Sequence, residues 1–186
     1  MTPALSSPPH ALHPHPATPA GVPLDLSVSV RLDTDGLRLV YSLNGDTAGL
    51  RITPAAAPGP ANGLWQHTCL EAFVAAEDEA AYREFNFSPS GQWAAYGFSS
   101  ERVRAVAGVE GQPLLQTTMS AAQLVLTAHL PWKALPARAT ALCIALSAVI
   151  EESSGHLSYW ALHHPQARPD FHHPAARTLR LALPQN

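Results

Sequence analysis

Short runs of alternating apolar and polar residues, each closed by a turn, set the limits on what this chain can fold into. The clearest run comes first. Leu24, Leu26, Val28, Val30 and Leu32 alternate with polar residues, Asp33-Thr34-Asp35-Gly36 turns the chain, and Leu37, Leu39, Tyr41 and Leu43 resume the pattern. Successive side chains of a strand point to opposite faces, so this spacing predicts a hairpin with one face buried. Asn44-Gly45-Asp46 turns again, ahead of a short strand expected over residues 50–52. Residues 54–63, mostly Pro, Ala and Gly, read as a loop.

The same punctuation continues to the C-terminus. Strands are expected over residues 64–75, 82–88, 92–98, 120–130, 141–150, 156–162 and 178–183, with a loop over 163–177. Pro131-Trp132-Lys133-Ala134-Leu135 reads as one helical turn opened by proline. Residues 141–150 are almost wholly apolar, as expected of a strand covered on both faces. No run has the period and length of an ordinary amphipathic helix, which argues against a doubly wound α/β fold. The prediction is all-β: a single antiparallel β-sandwich of jelly-roll or immunoglobulin-like type spanning residues 24–186. Residues 1–23, a dense mixture of Pro, Ala and His, are expected to form an extended arm and no central strand.

Composition narrows the function classes. With 186 residues the chain has the length of one domain. The net charge is −3 and the eleven basic residues are scattered, so a nucleic-acid-binding face is not expected. Cys69 and Cys143 lie in apolar strand patterns and read as buried free thiols. The first twenty residues hold no Lys or Arg and no apolar run, and no later segment is long and apolar enough to span a membrane. A cytoplasmic protein with no membrane partner is the simplest expectation. No Gly-rich phosphate loop and no nucleophile elbow is present, and no Ser or Cys stands in an activating context, so no enzyme is expected.

Three segments hold candidate site residues. Trp65 and Glu71 stand six positions apart in the run expected as one strand, with His67, Cys69 and Phe73 on the same face. An aromatic plate beside a carboxylate can hold a sugar ring, but a core Trp with a rim Glu has the same spacing, and spacing alone favours that blander reading. The second segment places Tyr82, Glu84 and Asn86 on one strand face, with Phe85 and Phe87 on the core face. That polar face is either solvated or the floor of a site. The third holds His163, His164, Asp170, His172 and His173 within eleven residues. These are metal-ligand types, but Pro165, Pro169 and Pro174 make the loop rigid, and side chains that pin the loop account for them better than a metal.

The blocks at residues 64–73 and 84–93, and Tyr159-Trp160-Ala161-Leu162-His163-His164-Pro165 with Pro169-Asp170-Phe171-His172-His173, resemble a bacterial DOMON-like family. The resemblance runs from the His15-Pro16 region to the C-terminus and implies a DOMON-type β-sandwich. Two neighbouring groups supply functional expectations. Similarity to family-9 carbohydrate-binding modules implies a small carbohydrate-like ligand clasped between Trp65 and Trp160, with Glu71 accepting from its hydroxyls and Asn86 and His163 nearby. Similarity to cytochrome-type DOMON domains implies instead haem b, held by axial Met and His or Lys. Here only Met1 and Met119 are available, or two His such as His163 with His172 or His173. A protein-interaction domain with a purely structural set of aromatic residues is the third expectation.

Overall fold

The computed structural model describes residues 8–137 and 139–184. Met1 and the start of the N-terminal arm lie outside them. The strands are β1 (His10–Pro14), β2 (Leu24–Asp33), β3 (Gly36–Gly45), β4 (Gly59–Pro60), β5 (Cys69–Ala76), β6 (Tyr82–Phe87), β7 (Gln92–Ser100), β8 (Val103–Arg104), β9 (Leu114–Ser120), β10 (Gln123–Pro131), β11 (Ala141–Glu151), β12 (Leu157–Ala161) and β13 (Leu179–Ala182). Four single 3-10 turns interrupt them, and no α-helix occurs among the described residues.

All thirteen strands join one curled sheet. Its hydrogen-bonded path runs β4-β7-β6-β5-β11-β12-β1-β2-β3-β10-β9, with β13 added to β11 and β8 to β7. The β2–β3 hairpin forms as the alternation predicts, with Val28 opposite Tyr41 and Val30 opposite Leu39. The curl brings the apolar face of β2, β3 and β10 onto that of β5, β6, β11 and β12. Val28, Leu39, Leu126, Leu70, Phe85, Phe87, Ile144 and Trp160 meet in this core. Across it the buried Tyr41 hydroxyl donates to the Glu71 carbonyl over 2.7 Å and fixes the height of β5.

The N-terminal arm departs from expectation. Although residues 1–23 are Pro-rich, β1 is an interior strand that pairs with β2 through His10–Leu12 and with β12 through His13 and Pro14. Its prolines sit at the margins: Pro8 and Pro9 precede the strand, Pro14 is its last residue, opposite Trp160, and Pro16 follows. Missing N–H donors are tolerated at strand ends. Leu12 is buried in the main core, so the domain begins before residue 24. Two smaller departures follow the same physics. Residues 50–52 make only an isolated bridge, Leu50 to Glu152. Leu114–Ser120 forms an edge strand without the alternation of a half-buried one, because most of its residues face solvent.

Topology also builds a second, smaller core. β12 pairs with β11 over residues 147–151 and β13 with β11 over residues 141–144, so both lie along one edge of β11. The chain between them leaves the sheet and folds over the face opposite the main core. There Phe171 and Ala176 pack on Phe73, Ala75, Tyr82, Phe98 and Ala145. If β1 is integral to the fold, Leu12→Ala costs about 2–4 kcal/mol in urea unfolding. A change below about 0.5 kcal/mol would show that the arm is dispensable.

Candidate functional site

β5 is buried along its whole length, and its side chains sort by parity. Leu70, Ala72 and Val74 enter the main core, while Cys69, Glu71, Phe73 and Ala75 take the other face. Cross-strand register extends that second face. Glu71 stands opposite Asn86 on β6 and Ser147 on β11, and Glu84 stands opposite Phe73 and Tyr96. Here the sheet and the β12–β13 loop enclose a cleft of about 420 Å³, lined by Trp65, Glu71, Glu84, Arg104, Tyr159 and Phe171 among others. That volume lies within the range of small-ligand sites.

Trp65 reaches the cleft from a 3-10 turn (Leu64–Gln66), not from a strand. Gly63, in the left-handed region at φ +76°, opens this turn, a conformation that favours glycine. The chain is pinned again just beyond it. Thr68 Oγ1 donates to the Arg51 carbonyl over 2.9 Å, and His67 Nδ1 donates to Glu151 Oε2 over 2.7 Å. Extended pairing therefore starts only at Cys69. The turn leaves Trp65 42% exposed, its ring 6.3 Å from Tyr96 and nearly perpendicular to it.

Two carboxyl groups form the floor. Glu71 is 3% exposed, and among the described residues its side chain accepts only from the Ser147 hydroxyl, at 3.5 Å. Burial, reinforced by the neighbouring charge of Glu84, holds its carboxyl well above the usual carboxylate range. Glu84 is also raised by burial, with opposing contributions from Asn86, Arg104 and Arg102. Asn86 Nδ2 donates to Glu84 Oε1 over 2.8 Å.

The far wall is held by a polar relay. Tyr82 accepts from the Arg102 backbone N–H at 3.1 Å, and its hydroxyl shares a hydrogen bond with His172 Nδ1 at 2.7 Å. The other ring nitrogen, Nε2, lies 3.7 Å from Glu84 Oε2, beyond hydrogen-bonding reach. Burial and the nearby arginines push His172 down to about 4, so the ring is neutral at physiological pH. Asp170 accepts from Arg102 Nη2 and from the His172 N–H, at 2.8 and 3.0 Å. Arg104 lies over Tyr96 and Phe98, 3.7 and 4.7 Å from the ring centres.

Of the candidate residues read from sequence, Trp65, Glu71, Glu84, Asp170 and His172 line this cleft. Trp160 does not. It pairs with Ala148 on the main-core face, is 3% exposed, and donates from Nε1 to Ser158 Oγ over 2.9 Å. Its neighbour Tyr159 takes the cleft position, and parity along β12 decides between them. Asn86 is fully buried and supports Glu84 without lining the cleft. His163 is exposed outside the cleft, and His173 accepts from the Ala175 N–H at its own turn.

The ligands named for haem b do not converge as a pair on the cleft: of His163, His172, His173 and Met119, His172 alone lines it, and Met119 lies exposed on the edge strand β9. Two buried carboxyl groups on the floor are also poor company for a porphyrin face. Phe98, Arg102 and Arg104 escaped the sequence reading because no local motif marks them, and Tyr159 and Phe171, although inside the quoted blocks, were passed over for their neighbours Trp160 and His172.

No protein-family model matches the sequence, and neither does any curated protein. Solved structures do match. A candidate carbohydrate-binding protein from Bacteroides uniformis superposes with a TM-score of 0.59 at 20% identity, over 88% of this chain and 82% of that one. A family-9 carbohydrate-binding module from Caldicellulosiruptor kristjanssonii in complex with glucose gives 0.61 at 9% identity, over 90% and 80% of the two chains. Its counterpart in complex with cellotriose gives 0.56 at 9% identity, over 83% and 72%. The chain shares its all-β fold with carbohydrate-binding modules.

The floor makes a pH-dependent prediction. Below its ordinary value of 4.5, Glu71 is protonated in both folded and unfolded chains. Above it the unfolded chain ionises freely while the folded chain resists, so this group removes stability as pH rises towards its folded value. Glu71→Gln should therefore melt higher than the wild type at pH 7–8, with the gain vanishing towards about pH 4. A gain independent of pH, or a loss, would contradict the burial account of Glu71.

Proposed function

We propose that this protein is a non-catalytic binding module for a small carbohydrate-like ligand, held in the cleft above Glu71 and Glu84. One observation carries this reading: an exposed Trp65 and two buried carboxyl groups converge on a single cleft of about 420 Å³. A pyranose has an apolar C–H face and a rim of hydroxyls. Trp65 offers the aromatic surface for that face, and Tyr159 with Phe171 forms a second aromatic wall. Glu71 and Glu84 accept from hydroxyls, and Arg102 and Arg104 donate.

The likeness to carbohydrate-binding modules supports the proposal through the fold, and the cleft supports it through chemistry. The two facing halves of the curled sheet favour describing the domain as a β-sandwich, and the DOMON-type relationship rests on the sequence blocks. The cleft also favours binding over catalysis. Cys69, on the same face, is fully buried, and burial with the Glu71 charge pushes its thiol well up, away from the reactive thiolate.

Titration with glucose and cello-oligosaccharides, followed by Trp emission and calorimetry, tests the assignment. Saturable binding is expected, with Trp65→Ala weakening it at least about tenfold, or 1.4 kcal/mol. The urea midpoint of Trp65→Ala should stay near wild type, because the side chain is 42% exposed. Absence of binding to any of these sugars, or binding unaltered by Trp65→Ala, would refute it.

A further inference from the structure

The floor of the cleft is chemically incomplete. Glu71 is 3% exposed and lines the cleft, yet among the described residues its side chain hydrogen-bonds only the Ser147 hydroxyl, at 3.5 Å. Among the described residues no cation stands within ion-pairing distance of it. Glu84, also buried, accepts from Asn86 with one oxygen, while the other lies 3.7 Å from a neutral His172. Asn86 Oδ1, on the same face and fully buried, has no hydrogen-bond partner among the described residues.

The cations that do line the cleft are engaged elsewhere. Arg102 pairs with Asp170 at 2.8 Å, and Arg104 lies over the rings of Tyr96 and Phe98. A carboxyl group buried without a cation opposes folding, and an apolar residue of similar size would not. Glu71 is such a group, and Glu84 on the same face feels Arg104 and Arg102 but pairs with neither, so together in an open cleft they make a site whose missing charge can come from a ligand. The aromatic walls favour the same sign, because ring faces attract cations.

We propose, resting on the carbohydrate reading above, that the cleft selects a sugar bearing a protonated amine, a 2-amino-2-deoxyhexose or a sugar of like chemistry. Its ammonium sits over Glu71 and Glu84, and its ring lies against Trp65. A neutral hydroxyl gives each carboxylate a hydrogen bond alone, whereas an ammonium adds the charge that the floor lacks. An acidic sugar would find its counter-ions only at Arg102 and Arg104 and would face the floor with like charge.

Calorimetric titration at neutral pH with glucosamine, glucose, N-acetylglucosamine and glucuronate tests this. Glucosamine should bind roughly tenfold or more tightly than glucose and N-acetylglucosamine, the scale of a charge-assisted contact, and glucuronate should bind weakest. Glu71→Gln, which keeps the shape but cannot ionise beside an ammonium, should bring the glucosamine-to-glucose ratio to about twofold or less. Glucose or N-acetylglucosamine binding as tightly as glucosamine, or glucuronate binding more tightly, would overturn amine selection and leave the carbohydrate reading standing. A preference for glucosamine that survives in Glu71→Gln would overturn the assignment to the floor. Binding of none of the four would overturn both readings.

Discussion

Burial of β5 on both faces is the constraint on which the rest of this structure depends. All eight of its residues are buried, so each must find its surroundings in one of two layers. The even positions close the main core between the halves of the curled sheet, and the odd positions face the β12–β13 loop and the cleft. The Tyr41 hydroxyl, bonded to the Glu71 carbonyl from the core side, ties the two layers together. The position of Glu71 is therefore set by the packing of the whole domain, which gives the cleft a rigid floor.

Electrostatics then divides the cleft into unlike parts. The loop side is a closed network in which Arg102, Asp170, His172 and Tyr82 satisfy one another. Arg104 is held by ring faces. The floor has no such closure, and burial leaves Glu71 resistant to ionisation. Stability is given up at that position, and in proteins such local concessions gather at functional sites.

Much of the fold was legible in the sequence because alternation reports directly which face of a strand is buried. The β2–β3 hairpin, the Phe85–Phe87 core pair and the doubly covered β11 all follow from it. The interior role of β1 was hidden because proline count is a poor guide where the prolines flank a Pro-free tetrapeptide, His10 to His13. The site was half legible. Trp65, Glu71 and the polar face of β6 stood out as residue types. Which residue of β12 joins them depends on register across β11, and that is a long-range property no local spacing contains. Trp160 was the conspicuous residue, yet Tyr159 holds the position. Arg104 and Phe171 reach the cleft only through a two-residue strand and an irregular loop, which have no periodic signature.

The four tryptophans give each layer its own reporter. The most direct test of the cleft as the binding site is the indole N–H region of a two-dimensional ¹H–¹⁵N NMR spectrum, recorded during sugar titration and assigned with single Trp substitutions. The Trp65 indole resonance should move in a saturable way while that of Trp160, sealed in the main core, stays in place. Movement of Trp160 with a stationary Trp65 would contradict the account and return the site to the opposite face of β12.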